Sequence, residues 1–288
     1  MPYQPFDLTG KVAMITGGNG GIGLGMADAI AQAGGAVCIW GTNLEKNAAA
    51  LTQIEAHGVD AAAFVCDVSQ EEEVERCFAE TLERFGRVDG CFANAGVSGR
   101  GALTPFVEMT KEAWDQIMGV NVDGVFYTYR AACRHMIERG DGGRLGVTAS
   151  LAALSGAARN QHYASTKGAV VSMTYALSVE MARYGITANA ILPGWIETAM
   201  TESAFNWEKF ANNVKPRIPM RRWGEGSDFG GLAVYLMSDA SAYHTGDTLL
   251  IDGGYQKFCS AICLRNRRSR LRCHSRLIAS PRFLKRSA

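Results

Sequence analysis

The sequence predicts one α/β domain built on a doubly wound parallel sheet with helices on both faces. The chain has 288 residues, of which 47% are hydrophobic and 20% charged, so it can bury a core of ordinary domain size. Short apolar runs alternate with stretches of helical spacing along the chain. Polar and apolar residues do not alternate within these runs. Such continuous apolar character is typical of parallel strands that are covered on both faces. No internal repeat or low-complexity linker divides the domain.

Short apolar runs mark the strands, and glycine or polar residues end them. The first run, Val12–Thr16, reads VAMIT and leads directly into glycines. The other predicted strands, in chain order, are Ala36–Trp40, Ala62–Cys66, Val88–Ala93, Leu145–Thr148, Thr187–Leu192 and the segment TLLID within Ala240–Gly254.

Helical spacing fills the segments between the strands. Ile22–Ala33 places its apolar residues on one face, and Gly34 and Gly35 end it. The other predicted helices are Asn43–His57, Glu71–Phe85, one long helix over Lys111–Arg139 and a helix over Tyr163–Tyr184. Thr201–Pro219 is predicted to be a helical, lightly anchored lid. In such sheets ligands bind beyond the carboxyl ends of the strands, where most of the motifs below fall.

Charge divides the chain near residue 256. The net formal charge is +1, but residues 257–288 contain ten Lys or Arg and no acidic residue. Residues 1–256 are therefore net acidic and are predicted to form the α/β domain, with 257–288 as a basic tail. The tail is interpreted as a disordered or accessory appendage. The alternative is an arm for acidic partners or nucleic acid, but no nucleic-acid-binding module is recognisable.

Cysteine usage and the N-terminus indicate a cytoplasmic protein. No two of the eight cysteines form a CxxC pair, and no metal site is expected. The N-terminus has no apolar signal-peptide core, and no apolar run is long enough to span a membrane. Five body cysteines lie in apolar or helical patterns and are expected to pack as small hydrophobes: Cys38, Cys66, Cys77, Cys91 and Cys133.

A glycine-rich turn between the first strand and the first helix predicts a phosphate site. Glycine lets the backbone turn tightly, and it lets a pyrophosphate approach the N–H groups of the following helix. The segment Thr16–Gly23 contains glycine at 17, 18, 20, 21 and 23. A GxGxxG match alone is weak, but its position between a strand and a helix strengthens it.

The end of the second strand carries a clue to which nucleotide binds. Dinucleotide enzymes usually place an acid there to bind the ribose 2′-hydroxyl. Here Gly41, Thr42 and Asn43 occupy the position, with Lys46 one helical turn away. The absence of a carboxylate favours NADP over NAD. The alternative is that Thr42 and Asn43 only begin a helix.

Tyr163 and Lys167 are four positions apart and therefore share one face of a helix. A free tyrosine has a pKa near 10. A lysine ammonium roughly 4 Å away contributes about 4 kcal/mol at an effective dielectric constant of about 20. The pKa of Tyr163 is then expected to fall by about 3, to near 7, where a phenol can give and take a proton.

Two further polar residues complete the candidate constellation. Ser150 follows the fifth strand and can bind a substrate carbonyl oxygen; the alternative is a cap or turn residue. Asn121 lies within the long predicted helix, where a polar side chain needs a partner; the alternative is a backbone-bonded kink beside Gly124.

Taken together, these motifs resemble a short-chain dehydrogenase/reductase of the classical type, over about residues 8–255. The family's TGxxxGxG pattern matches Thr16 to Gly23, and its Asn–Ser–Tyr–Lys tetrad matches Asn121, Ser150, Tyr163 and Lys167. The residues that the resemblance assigns to the cofactor are Thr16, Gly17, Asn19, Gly21, Ile22, Gly23, Thr42, Asn43, Asp67, Val68, Asn94, Ala95, Gly96, Tyr163, Lys167, Pro193, Gly194, Ile196 and Thr198.

The resemblance implies a Rossmann-like fold and an NAD(P)-dependent oxidoreductase. Its reaction would transfer a hydride between the nicotinamide and a ketone or secondary alcohol, with Tyr163 as acid/base and Ser150 steadying the carbonyl. Lys167 would lower the tyrosine pKa, and Asn121 would hold a water. It also implies a homotetramer or dimer built through the two long helices. No nucleic-acid or membrane partner is expected. The alternative is a dinucleotide-binding scaffold or redox sensor without turnover.

Two features depart from the family pattern or extend it. Gly146 interrupts the strand before Ser150, and no basic residue stands at Asn19 or Gly20, so the choice of cofactor stays open. The loops that would form the substrate walls suggest a medium-sized apolar or cyclic substrate. Their side chains are Phe106, Leu151, Leu154, His162, Trp195, Phe205, Trp207 and Phe210, with His162 interpreted as a rim residue.

Overall fold

A computed structural model of the chain describes residues 4–99 and 104–258. Seven apolar segments form one sheet with the order β3-β2-β1-β4-β5-β6-β7, and every neighbouring pair is parallel. The strands are β1 Val12–Thr16, β2 Ala36–Gly41, β3 Ala61–Val65, β4 Gly90–Ala93, β5 Gly143–Thr148, β6 Ile186–Pro193 and β7 Thr248–Ile251. The order reverses between β1 and β4, and this reversal opens a crevice at the carboxyl ends of the strands.

Helices cover both faces of the sheet. They are α1 Gly21–Gln32, α2 Leu44–Glu55, α3 Glu71–Phe85, α4 Lys111–Met118, α5 Gly124–Arg139, α6 Ala152–Ser155, α7 Gln161–Met181, α8 Glu202–Phe205, α9 Glu208–Val214 and α10 Gly230–Met237. A π-helical turn, Gly119–Asp123, joins α4 to α5.

The core consists of two apolar layers, one on each face of the sheet. Successive strand residues point to opposite faces, so Met14 and Trp40 enter the layer that α3, α5 and α7 cover. Ile15 and Ile39 pair in register and enter the layer that α1, α2 and α10 cover. Burial of each such side chain contributes about 1.5–3 kcal/mol. The continuous apolar character of the strands therefore follows from burial on both faces.

Most predicted elements are confirmed, and their ends shift by a few residues. β1 and α3 have the predicted bounds. The helical stretch predicted over Lys111–Arg139 is confirmed, although a π-helical turn divides it into α4 and α5. The helical character of the lid segment is confirmed by α8 and α9. Helix α10 was not predicted: its sequence, GGLAVYLM, is almost uniformly apolar and shows no helical period.

Several expectations concern the chain as a whole. The five body cysteines are buried and free, as predicted. In the described part of the chain, no helix is long and apolar enough to cross a membrane, and no group of three or more His, Cys, Asp or Glu could hold a metal ion. The basic tail beyond residue 258, and residues 100–103 of the predicted substrate wall, lie outside the described residues.

Candidate active site

A cleft of about 540 Å³ lies at the carboxyl ends of the central strands. Its walls come from the turn after β1, the turn after β4, the end of β5, helix α7 and the loop after β6. The predicted site residues that line it are Gly17, Asn19, Gly21, Ile22, Asn94, Ala95, Gly96, Ser150, Tyr163, Lys167, Pro193, Gly194, Ile196 and Thr198. One cleft thus joins the glycine-rich turn to three of the four predicted catalytic residues, whereas Asn121 is buried and does not line it.

The glycine-rich turn is shaped for close backbone approach. Gly17 and Gly21 have φ of 63° and 53°, which other residues rarely adopt. A Cβ on Gly23 would lie 2.3 Å from the carbonyl oxygen of Gly17, so only glycine fits. The first turn of α1 contains no acidic residue and has no side-chain cap. Its free N–H groups therefore suit the pyrophosphate of a dinucleotide, and the residues present fit such a cofactor.

Asn94 holds three strands together at the base of the cleft. Its side-chain Nδ2 donates to the carbonyl oxygens of Thr16 and Gly17, each at 3.1 Å, and its Oδ1 accepts from the Thr148 hydroxyl at 2.9 Å. The Thr16 hydroxyl accepts from the backbone N–H groups of Asn94 and Ala95, both at 3.0 Å. These polar side chains therefore fix the spacing of β1, β4 and β5 around the site.

At the end of β2 the structure supports the capping interpretation. Asn43 accepts from the Lys46 N–H at 2.8 Å and caps α2, and Thr42 is exposed. A Cβ on Gly41 would lie 2.2 Å from Asn19 Nδ2, which donates to Asn47 Oδ1 at 2.7 Å. An acid at position 41 would therefore displace Asn19. Lys46 itself lines the cleft.

Six predicted cofactor contacts are not among the residues that line this cleft. Thr16 and Gly23 belong to the glycine-rich turn itself, and the other four are Thr42, Asn43, Asp67 and Val68. The Asp67 carboxylate accepts from the Ser69 N–H and hydroxyl at 3.0 and 2.7 Å. Val68 is buried, and a Cβ on Gly124 would lie 2.7 Å from it. Their assignment to the adenosine end of a cofactor stays a prediction.

Tyr163 and Lys167 both face the cleft from α7, as their spacing predicts. Lys167 Nζ donates to the Thr148 carbonyl at 2.8 Å and lies 5.6 Å from the centre of the Tyr163 ring. Burial lowers the pKa of Lys167 from 10.5 to about 8. The expectation that the tyrosine pKa falls to near 7 is wrong for this arrangement. Burial raises the pKa of Tyr163, and only a hydrogen bond with Ser150 opposes the rise.

Ser150 has the cap role that was considered for it, and its binding of a substrate oxygen stays a prediction. Its hydroxyl accepts from the Ala152 N–H at 3.1 Å and so begins α6, and it also bonds with Tyr163. Packing explains why glycine occupies position 146, where the family usually has a larger apolar residue. A Cβ on Gly146 would lie 2.6 Å from the Phe92 ring.

Asn121 lies in the π-helical turn and is 1% exposed. Its Oδ1 accepts from the Val97 N–H at 2.8 Å, and its Nδ2 donates to the Val97 carbonyl at 2.9 Å. Nδ2 also donates to the Thr166 hydroxyl at 3.1 Å, which in turn donates to the Tyr163 carbonyl at 2.8 Å. A π-helical turn at this point is typical of a functional position. Asn121 thus bonds backbone groups, as the alternative interpretation expected, and these tertiary bonds hold the π-helical turn.

Sequence reasoning missed three buried polar residues that organise the site: Thr148, Thr166 and Asn47. Thr166 lies between Tyr163 and Lys167 in the chain, and its spacing from both is the one signal that could have identified it. Thr148 ends β5, where a hydroxyl among apolar residues needs a partner. No local pattern distinguishes Asn47 from an ordinary helical surface residue.

The substrate side is dominated by aromatic packing. Trp195 contacts Phe210 with ring centres 4.9 Å apart, and Phe205 stacks on Trp223 at 4.1 Å. Phe205 and Phe210 of the lid therefore pack on tryptophan rings that flank the lid in the chain. Of the other predicted wall residues, Leu151 is buried, whereas Phe106, Leu154 and Trp207 are exposed. The interpretation of His162 as a rim residue is wrong, because its side chain is buried.

Comparison with known proteins covers the sheet and the cleft. Residues 17–256 match a family model described as Enoyl-(Acyl carrier protein) reductase. Gluconate 5-dehydrogenase of Gluconobacter oxydans is 35% identical over 251 residues, which is 86% of this chain and 96% of that protein.

Two solved structures are similar over the same region. One is a gluconate 5-dehydrogenase from Burkholderia cenocepacia in complex with NADP and tartrate, with a TM-score of 0.82, 35% identity and coverage of 88% of this chain and 98% of that one. The other is an NAD+-bound xylitol dehydrogenase, with a TM-score of 0.80, 31% identity and coverage of 86% and 99%.

Proposed function

The chain belongs to the short-chain dehydrogenase/reductase family, and we propose that Ser150, Tyr163 and Lys167 carry its chemistry, supported by Asn121. Like its relatives, it is an NAD(P)-dependent oxidoreductase that interconverts an alcohol and a carbonyl group. The observation that carries the assignment is the convergence of Ser150, Tyr163 and Lys167 on one cleft that begins at a glycine-rich turn.

Tyr163 is the proton donor when a ketone is reduced. Its hydroxyl bonds with Ser150, so both hydroxyls can reach one substrate oxygen and stabilise the charge that develops there. The raised pKa keeps the phenol protonated at neutral pH, which suits donation. In the oxidation direction the same group must first lose its proton. Alcohol oxidation is therefore expected to accelerate as the pH rises above neutral.

Lys167 and Asn121 support this proton transfer. The ammonium of Lys167 is anchored by the Thr148 carbonyl beneath the Tyr163 ring. Because both hydrogens of Asn121 Nδ2 and one lone pair of its Oδ1 are already engaged, its side chain mainly holds the turn after β4 against α7. When bound, the dinucleotide supplies or accepts the hydride. The glycine-rich turn would hold its pyrophosphate, and Lys167 with the loop Pro193–Thr198 would hold its nicotinamide end.

The adenosine end favours NADP. No carboxylate stands at Gly41, Thr42 or Asn43 to repel a 2′-phosphate, and Lys46 lines the cleft beside them. We expect kcat/KM with NADPH to exceed that with NADH. Equal values, or a preference for NADH, would contradict this assignment.

The proposal also covers the oligomeric state, the C-terminal tail and the cellular location of the protein. Exposed apolar side chains on α5 and α7, namely Phe126, Tyr175 and Val179, favour a dimer or tetramer built through these helices. The tail from residue 257 is proposed to be dispensable for turnover. A cytoplasmic location and the absence of nucleic-acid partners stay predictions.

Substitution of Tyr163 tests the function. The purified protein is mixed with NADPH or NADH and a panel of ketones, and the loss of reduced-nicotinamide absorbance is followed. The panel includes cyclic and apolar ketones, which the aromatic wall favours, and polyhydroxylated chains, which the names of the gluconate and xylitol relatives suggest. Tyr163→Phe should lower kcat by about 10²–10⁴-fold.

The control is Tyr243→Phe, since Tyr243 is fully exposed outside the cleft. Cofactor affinity, measured by fluorescence quenching, should change little in Tyr163→Phe. Turnover that survives in Tyr163→Phe within tenfold of the native rate would refute the role of Tyr163. Cofactor binding without turnover of any ketone or alcohol would favour the scaffold or sensor alternative.

A further inference from the structure

Three buried polar atoms without a hydrogen-bond partner belong to the three residues that precede Tyr163 in the chain. Eight such side-chain atoms occur in the described residues, and four of them belong to Asn160, Gln161, His162 and Trp195. Three of the others are arginine Nε atoms, and each of those guanidinium groups forms hydrogen bonds through another nitrogen. Folded proteins leave few buried polar groups unpaired, and such groups call for an explanation.

The side chains of Asn160 and His162 both lie close to Gly99, in the loop that follows β4. Asn160 is the N-cap residue of α7, but its side chain forms no capping bond, and its Oδ1 is buried and unpaired. His162 is 7% exposed, and its Nδ1 is likewise unpaired. A Cβ placed on Gly99 would lie 2.8 Å from His162 Nε2 and 3.4 Å from Asn160 Oδ1. The backbone of Gly99 therefore packs closely against both polar groups, and any side chain at this position would displace the imidazole.

This pair lies next to the catalytic residues. The loop from Gly96 to Gly99 runs along α7: a Cβ on Gly96 would lie 3.4 Å from Lys167 Nζ, whereas Gly99 contacts His162. Residues 162 and 167 are about 7.5 Å apart along the helix axis at 1.5 Å per residue, and Tyr163 lies between them. Asn160 and His162 therefore flank Tyr163 on the side away from Lys167.

The two groups differ in their hydrogen-bonding character. The amide oxygen of Asn160 only accepts. In neutral His162, the sealed and unpaired Nδ1 favours the tautomer that carries its proton on Nε2, because a buried N–H without an acceptor is costly. An acceptor and a donor thus converge. A hydroxyl group, which both donates and accepts, can satisfy the two together, whereas a methylene group or a ring carbon can satisfy neither.

We propose that Asn160 and His162 recognise a hydroxyl group of the substrate close to the reacting carbon. The enzyme then acts on polyhydroxylated alcohols and hydroxyketones, and it discriminates against apolar ketones of the same length. The inference rests on the proposed function and names the substrate class of that site. Sites built to bond a hydroxyl reject the analogue without it, because their own polar groups stay unpaired.

The test compares substrates that are matched in length. Wild-type protein is assayed in the oxidation direction with xylitol against 2-pentanol and with sorbitol against 2-hexanol. We expect kcat/KM to be at least about tenfold higher for the polyol of each pair. His162→Phe keeps a flat ring without nitrogens, and it should lower the ratio of polyol to mono-alcohol at least fivefold. The matched control, His135→Phe, lies near the amino ends of the strands and should leave the ratio unchanged.

Gly99→Ala supplies an independent variant, should His162→Phe fold poorly. The added methyl group would meet the imidazole and should lower the ratio in the same direction. Wild-type turnover of 2-pentanol and 2-hexanol at least as efficient as that of the polyols would overturn the inference but leave the proposed function intact. An unchanged ratio in both variants would also overturn it. Should no alcohol react, the proposed function fails, and the absence of any polyol-induced rise in melting temperature would reject the hydroxyl site as well.

Discussion

Lys167 offers a quantitative test of how deeply the site is buried. Burial lowers the pKa of Lys167 from its ordinary value of 10.5 to about 8 in the folded protein. Between these values the unfolded chain binds more protons than the folded one, so the stability of the fold rises with pH. At pH 7 the buried ammonium destabilises the fold by about 3 kcal/mol, which is the free energy of a pKa difference of about 2.5. By pH 9.5 about 2 kcal/mol of this penalty is relieved.

Lys167→Met removes the titrating group and keeps a chain of similar length. The unfolding free energies of the wild-type protein and the variant are measured by urea denaturation at one protein concentration and several pH values from 7 to 9.5. The difference, wild type minus variant, should rise by about 2 kcal/mol across this range. The Thr148 carbonyl, which loses its donor, adds only a constant offset. Lys209→Met, on the exposed side of α9, controls for the loss of one positive charge. Parallel curves for the wild type and Lys167→Met, within about 0.5 kcal/mol, would refute the proposed penalty of burial.

Three further substitutions probe the surroundings of the site. Thr166→Val deletes the hydroxyl that links Asn121 to α7, so kcat should fall about tenfold or more, whereas Thr166→Ser should recover most of it; equal rates in both variants would reject the positioning role. Gly41→Asp would displace Asn19 and place a carboxylate at the end of β2, so the ratio of kcat/KM with NADPH to that with NADH should fall at least tenfold in steady-state assays. Val179→Glu puts a charge on the exposed face of α7, and light scattering should show a smaller assembly; an unchanged mass would argue against that interface.

The strands and the principal catalytic residues were predictable because local rules determine them. A continuous apolar run such as Val12–Thr16, followed by a helix, is typical of a strand in a parallel sheet that is buried on both faces. The spacing of Tyr163 and Lys167 on a helix leaves them on one face whatever surrounds them. The glycine at position 23 was predictable because strand, turn and helix follow one another in the chain.

Features that depend on distant partners were not predictable. The π-helical turn exists where Asn121 bonds both backbone groups of Val97, which is 24 residues away. The direction of the Tyr163 pKa depends on burial, and no spacing reveals burial. Likewise, His162 was expected at the rim, because adjacency in the chain does not show that Gly99 covers its ring.

Helix α7 separates catalysis from recognition along its length. Thr166 and Lys167 are anchored by hydrogen bonds to the protein itself, so these residues stay in place whether or not a substrate is bound. Asn160 and His162, one turn nearer the start of the helix, have unpaired groups that only a suitable ligand can satisfy. An ill-fitting alcohol can therefore meet a fully arranged Tyr163 and still bind poorly. Specificity can then change through Asn160 and His162 without disturbing the groups that move the proton, which is why the variants of His162 should alter the substrate ratio and not the pH dependence of turnover.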